Sequence, residues 1–285
     1  MATLKAIRRR VASVRNIQQI TKAMKMVSAA RLRRAQEAAI AARPYAEKLE
    51  AVLQNLASQS TTLSHPLLEA REEKNLDLIL VTSDRGLCGG FNSNLIRAAE
   101  TFMREHPGQK VTLSLVGRKG LDHFKRRSVT LGEQHVNLSG KLTPPLAHEI
   151  GVRMSQKFVS EETDGVYVLY ARFRSAASQV PTIDKVLPVT AKDSAAAQLS
   201  SEYLYEPAPD ELVASLLTRY VDMLIYRAML ESVASEHGAR MTAMENATNN
   251  AVDMIGRLTL DMNRARQASI TRELLEIVST SEALK

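Results

Sequence analysis

The stretch "MTAMENATNNAVDMIGRLTLDM", residues 241–262, largely determines how this 285-residue chain folds. Apolar or small residues recur along it in alternating steps of three and four. They are Met241, Met244, Thr248, Ala251, Ile255, Leu258 and Met262. This spacing keeps one face of a helix turned toward a partner helix, as in a left-handed coiled coil. Because no proline follows Pro209, the sequence predicts one continuous helix over residues 210–285.

The partner helix is predicted at the other end of the chain, over residues 1–58. Its apolar residues also recur in steps of three and four, which mark one face of a helix. They are Leu4, Ile7, Val11, Val14, Ile17, Ile20, Met24 and Val27. A helix of roughly 55 residues would be about 80 Å long, far longer than a compact domain needs. We therefore expect the two terminal helices to pair antiparallel, with the rest of the chain inserted between them.

The inserted segment, residues 75–190, has a different pattern. Three short runs rich in β-branched residues, "LDLILVTS", "KVTLSLVG" and "GVYVLYARF", predict strands. Predicted helices cover residues 92–105, 120–126 and 145–161, and prolines bracket a predicted edge strand at 181–189. Strands that alternate with helices are typical of a largely parallel sheet. The predicted fold class is mixed α+β: a long antiparallel coiled coil with an inserted Rossmann-like α/β domain.

The glycine-rich loop "SDRGLCGGFN", residues 83–92, raises the question of a phosphate site. A P-loop needs a lysine at the start of the helix, and a dinucleotide fingerprint needs glycines spaced G-x-G-x-x-G. The loop has neither, because its glycines are Gly86, Gly89 and Gly90. The better interpretation is a tight turn that exposes Asp84 and Arg85 to a partner. A nucleotide-binding α/β protein with helical extensions stays the alternative.

No other chemistry is strongly indicated. Cys88 is the single cysteine, so an intramolecular disulfide is excluded. The histidines show no metal-ligand spacing, and the carboxylates suggest no acid–base pair. The sequence therefore predicts no catalytic residue, no cofactor and no metal site.

Positive charge is concentrated at the N-terminus. The formal net charge of the chain is +7, and ten basic residues come before the first acid, Glu37. Such a helix needs an anionic partner, which could be an acidic protein surface, nucleic acid or lipid headgroups. The nucleic-acid hypothesis is the weaker one, since the helix has no interleaved aromatic residues.

Several stretches together resemble the gamma subunits of rotary, proton-translocating ATP synthases. They are "SVRNIQQITKAMKMVSAARLRRAQ", "SDRGLCGGFN", "YLYEP", "ASEHGARMTAMENATNNA" and "NRARQASITRELLEIV". The resemblance covers nearly the whole chain. It implies a non-catalytic central shaft that turns inside a hexamer of alpha and beta subunits. The α/β domain would dock on the ring of c subunits and bind the epsilon subunit.

The resemblance also implies which residues contact partners. Met24 and Lys25 match positions that meet the lever segment of beta, and the loop residues Asp84, Arg85 and Cys88 would lie near it. Four C-terminal residues match positions that hydrogen-bond or pair with beta: Arg240, Gln267, Thr271 and Glu273. Three more match the contact with the c ring: Tyr203, Tyr205 and Glu206.

The resemblance further implies a location. One cysteine cannot form the redox switch of the plastid members, and the chain begins directly on the predicted helix. We therefore expect a bacterial protein, peripheral on the cytoplasmic side of the inner membrane.

Overall fold

The computed structural model describes residues 4–59, 65–138, 143–189 and 209–283. Two very long helices dominate it: α1 (Leu4–Gln59) and α5 (Pro209–Ala283). Among the described residues, no helix is both long enough and apolar enough to cross a membrane.

The chain divides into two compact units, and each long helix contributes to both. Residues 1–28 and 241–285 form the coiled-coil unit, and residues 29–240 form the α/β unit. The three-part division expected from the sequence, 1–58, 75–190 and 210–285, stays a proposal about domains.

In the coiled-coil unit, α1 and α5 run antiparallel. Thr21 Oγ1 lies 2.7 Å from Thr248 Oγ1, and one turn along, Lys25 Nζ lies 2.7 Å from a carboxylate oxygen of Glu245. The seven predicted seam residues of α5, from Met241 to Met262, are all buried or half-buried. Thus the antiparallel pairing and the α5 seam are confirmed.

The predicted apolar face of α1 leaves the interface with α5 after Val14. The residues that turn toward α5 are Gln18, Thr21, Lys25 and Ser28. A left-handed coiled coil requires steps of three and four to alternate, so Gln18 follows Val14 in the seam. The apolar residues instead continue from Val14 in two steps of three, to Ile17 and Ile20. These residues therefore lie outside the interface with α5. Polar residues therefore fill part of this interface, and apolar ones lie outside it.

The α/β unit contains a five-stranded sheet in the order β3-β2-β1-β4-β5. The strands are β1 (Asn75–Val81), β2 (Lys110–Val116), β3 (Thr130–His135), β4 (Gly165–Phe173) and β5 (Gln179–Leu187). All neighbours are parallel except β4 and β5, which are joined as an antiparallel pair. The predicted, largely parallel sheet is confirmed.

Helices cover both faces of this sheet. On one face lie α2 (Phe91–Glu105) and α3 (Arg118–Phe124), and on the other lie α4 (Pro144–Val159) and part of α5. Because both faces are covered, the central strands are buried throughout: in β1, every residue after Asn75 is buried. Helix α5 is therefore part of the core of the α/β unit.

Strand β3, "TLGEQH", was not predicted from the sequence. It lies at the sheet edge, is mostly half-buried and has no apolar alternation. Gly132 allows it to pack closely, since a Cβ there would lie 2.6 Å from Ser114 Oγ.

Gly117 is required where β2 ends. Its φ is +96°, and a Cβ would lie 2.1 Å from the Thr82 carbonyl oxygen. We expect Gly117→Ala to lower the free energy of unfolding by about 2–4 kcal/mol, measured by urea titration of the full chain.

Gly108→Ala is the matched control, because no atom lies within 4 Å of its added Cβ. It should leave the stability within about 1 kcal/mol of the wild type. Equal losses for the two variants would contradict the close approach at Gly117.

Candidate functional site

The glycine-rich loop connects β1 to α2 as a tight turn. Leu87 and Gly89 both have positive φ, 63° and 57°. The turn is held from inside: Ser83 Oγ lies 2.8 Å from Asn92 Nδ2, which also donates to Cys88 Sγ at 3.2 Å. Cys88 is buried, with 2% exposure, and burial raises the pKa of its thiol. The predicted tight turn is confirmed.

Arg240 of α5 binds this loop from within the same chain. Its Nη2 donates to the carbonyl oxygens of Arg85 and Gly86, at 3.3 and 3.2 Å. A phosphate site presents backbone N–H groups to an anion. This loop presents carbonyl oxygens to a cation, so its polarity is the reverse of a phosphate cradle.

The buried charge of Arg240 has a partner on the preceding turn of α5. Glu236 lies 2.7 Å from Arg240 Nη2, and burial raises the pKa of this carboxyl while the guanidinium opposes the shift. His237 is also buried, and this burial together with the charges of Arg240 and Arg31 lowers its pKa to about 4. The imidazole is therefore neutral at pH 7, beside a charged guanidinium.

The usual ligand crevice of such a sheet is filled by α5. In doubly wound sheets, ligands bind outside the carboxyl ends of the strands where the strand order reverses, here between β1 and β4. Ser232 Oγ donates to the carbonyl of Val81 at 3.3 Å, and Ser235 Oγ donates to that of Ala171 at 2.8 Å. One turn later, Gly238 lies against the β4–β5 hairpin. A nucleotide would have to displace the helix.

Among the residues that the structure describes, no three His, Cys, Asp or Glu side chains are grouped so as to hold a metal ion.

Only part of the loop is accessible to another molecule. Arg85 and Leu87 are exposed, Leu87 by 64%. Asp84 is half-buried, and its carboxylate accepts from the backbone N–H groups of Arg118 and Asn137. Cys88, which we expected near a partner, is buried and therefore not accessible to one. Partner contacts of the loop stay predictions for Arg85 and Asp84.

The predicted contacts on the helices differ in accessibility. Met24 is half-buried, and the ammonium of Lys25 is already paired with Glu245. Gln267, Thr271 and Glu273 are exposed in the C-terminal part of α5. The predicted c-ring contacts, Tyr203, Tyr205 and Glu206, lie outside the described residues.

Within the described ranges of the chain, no helix covers the C-terminal part of α5. Every residue from 266 to 281 is exposed, and we call this segment the α5 tip. It includes five large apolar side chains: Ile270, Leu274, Leu275, Ile277 and Val278. The pairing of Thr21 with Thr248 sets a register in which Leu4, at the start of α1, lies near residue 265. This accounts for the exposure that begins there.

The part of the predicted apolar face of α1 that does not pack against α5 forms an exposed stripe. Ile17, Ile20 and Val27 are about half exposed, with Met24 between them. At about 100° per residue, this stripe flanks the seam on one side. The other flank carries the exposed basic residues Arg8, Arg15 and Lys22. The break in the alternation of steps after Val14 is the sequence signal that could have revealed the stripe.

Sequence reasoning missed the two buried serines of α5. Ser232 and Ser235 fall in a mixed run of polar and apolar residues, and nothing in that run indicates which strand carbonyl each will meet.

Comparison with known proteins gives a consistent result. A family model described as "ATP synthase" matches residues 3–284. The ATP synthase gamma chain of Geobacter metallireducens is 49% identical over 287 residues, covering 100% of both chains. That of Pelotomaculum thermopropionicum is 47% identical over 285 residues, again covering 100% of both.

Two solved structures are also similar. A chain of the central stalk and c ring of the Tetrahymena thermophila mitochondrial ATP synthase aligns with a TM-score of 0.61 and 27% identity, over 80% of this chain and 99% of that one. A chain of the Euglena gracilis mitochondrial enzyme aligns with a TM-score of 0.69, over 99% of this chain and 94% of that one; at 23% identity it supports the fold alone. Full-length identity to curated relatives and the family match establish that this chain belongs to the ATP synthase gamma chain family.

Proposed function

We propose that the chain is the central-stalk rotor of a proton-translocating ATP synthase. It carries torque between the c ring and the catalytic hexamer of alpha and beta subunits, and has no active site of its own. One observation is the main support for this function. The 75-residue helix α5 is part of the core of the α/β unit, yet its residues 266–281 are exposed.

The α5 tip has the composition of a segment that other subunits surround. Four of its exposed apolar residues, Ile270, Leu274, Ile277 and Val278, recur at the spacing of one helix face, so water alone is an unfavourable environment for them. Gln267, Thr271 and Glu273 add hydrogen-bonding groups between them. The 16 residues of the tip would reach about 24 Å into a cavity between alpha and beta subunits.

The two flanks of α1 suit different contacts within that hexamer. The basic flank, Arg8, Arg15 and Lys22, complements an acidic lever segment of beta. The apolar stripe, Ile17, Ile20 and Val27, suits an apolar contact that excludes water, on the opposite flank of α1. A rotor with unlike flanks presents different chemistry to successive beta subunits as it turns.

The remaining contacts follow from family membership. The Tetrahymena relative belongs to a central stalk with a c ring, and the Euglena relative to an assembly of F1 with a c ring. By analogy, Tyr203, Tyr205 and Glu206 contact the c ring, and the α/β unit binds the epsilon subunit. The complex places this chain peripherally on the cytoplasmic side of a bacterial inner membrane.

Reconstitution tests the function directly. We expect the isolated chain to hydrolyse no ATP and to bind neither ATP nor NAD in calorimetry, because α5 fills the crevice. Added to purified alpha and beta subunits, it should restore cooperative ATPase activity with one copy per complex. Failure to co-purify with them, or nucleotide binding abolished by Gly89→Val, would favour the alternative of a nucleotide-binding protein.

Truncation tests the α5 tip. A chain ending before Thr280 keeps most of the tip and should retain most of the ATPase activity of the reconstituted complex. A chain ending before Gln267 loses all of the tip except Arg266 and should lose most of that activity. Both should unfold like the full chain, since residues 267–281 are all exposed. Equal ATPase loss from the two truncations would count against the tip.

The apolar stripe is tested with Ile20→Ser. Because Ile20 is 58% exposed, the unfolding free energy of the isolated chain should change by no more than about 0.5 kcal/mol. Assembly with alpha and beta should weaken measurably in a binding titration. Ala23→Ser, at an exposed position beside the stripe, is the control and should assemble normally. Unchanged assembly of the Ile20 variant would show that the stripe contacts nothing in the hexamer.

A further inference from the structure

Two hydroxyls connect α5 to the carboxyl end of the sheet. Ser232 bonds the carbonyl of Val81, the last residue of β1, and Ser235 bonds that of Ala171, near the end of β4. Both serines are buried, with 3% and 0% exposure. They lie three residues apart on one face of α5, so one turn of helix is tied to two neighbouring strands.

Arg240 adds a third connection just beyond the serines. Its Nη2 donates to two consecutive carbonyls of the loop, those of Arg85 and Gly86, and its Nε also donates to that of Gly86, while Glu236 pairs with the same Nη2. The Arg240 side chain is only 10% exposed. An arginine fork of this kind fixes both position and orientation.

These polar contacts resist motions that apolar packing does not. Burial of apolar surface is non-directional, so by itself it fixes the orientation of a helix less sharply than hydrogen bonds do. Hydrogen bonds weaken steeply when their distance or angle changes. Rotation of α5 about its own axis would break the bonds of both serines and Arg240 together. Because the groups are buried, water does not readily replace the lost partners.

We propose that Ser232, Ser235 and Arg240 form a torque joint, a set of positioning residues that stops α5 from twisting against the sheet. The proposal rests on the rotor function above. It assigns Arg240 a role inside its own chain, whether or not it also meets a beta subunit. The joint matters most under load, when the c ring and the hexamer pull the chain in opposite senses.

The test uses the complete ATP synthase in sealed vesicles. Protons pumped per ATP hydrolysed are measured as the opposing proton gradient rises, for Arg240→Gln and for the double variant Ser232→Ala, Ser235→Ala. We expect both ratios to fall several-fold below wild type at high gradient, and less at low gradient. The control is Arg227→Gln, which removes an exposed arginine paired with Glu231 on the same helix and should couple normally.

Arg240→Lys separates the fork from the charge. It keeps a cation beside Glu236 but lacks the second donor nitrogen, Nε, that also binds the Gly86 carbonyl, so the variant should melt like wild type and still lose coupling at high gradient. If Arg240→Gln does not fold, this variant and the double serine variant carry the test.

Labelling of Cys88 reports on the joint independently of pumping. Cys88 is the only cysteine of the chain and lies buried in the loop that Arg240 holds. In the isolated chain, Arg240→Gln should raise its rate of reaction with a maleimide by about tenfold, because the loop opens more often.

The outcomes separate the two proposals. If wild type itself fails to assemble or couple, the rotor function is wrong. If wild type couples, and the Arg240 and double serine variants assemble and couple equally well at every gradient, the joint is wrong. An unchanged Cys88 labelling rate in Arg240→Gln would also overturn it.

Discussion

The burial of helix α5 in two different surroundings is the constraint on which the rest of the structure depends. Over residues 213–229, its apolar face completes the core beneath the sheet, with Val221 and Ile225 fully buried. Over residues 241–262, a narrower heptad seam faces α1. One helix therefore meets two packing requirements in succession, first a wide apolar face and then a stripe. The switch between them falls where Ser232, Ser235 and Arg240 replace apolar contacts with hydrogen bonds.

The same arrangement explains why a Rossmann-like sheet here has no ligand crevice. The strand order reverses at β1 and β4, as in nucleotide-binding folds, but α5 occupies the space beyond their carboxyl ends. The glycines of the loop serve a tight turn, and the loop carbonyls bind Arg240 in place of a ligand. In the proposed rotor, a site that elsewhere holds a small molecule holds the chain's own helix.

Much of this could be predicted from the sequence, and the failures have physical causes. The α5 seam and the parallel strands were predictable because burial imposes a simple period on apolar residues. The α1 seam was not, since Thr21 and Lys25 lie inside it while Ile17 and Ile20 lie outside. Strand β3 was missed because an edge strand needs little apolar alternation.

The candidate site was harder to predict than the fold. The family resemblance is what identified Gln267, Thr271 and Glu273 as contact residues. All three are exposed, which is compatible with a partner contact but does not test it. The clamp of Arg240 on Gly86 joins residues 154 positions apart, and no local pattern encodes such a bond.

Hydrogen exchange along α5 tests the central claim most directly. In the isolated chain, we expect slow exchange of the backbone amides over residues 213–251 and fast exchange over residues 266–281, where nothing covers the helix. On assembly with alpha and beta subunits, exchange of the second segment should slow markedly, while that of the first changes little. Equally fast exchange of residues 266–281 in the free and assembled chain would contradict the account.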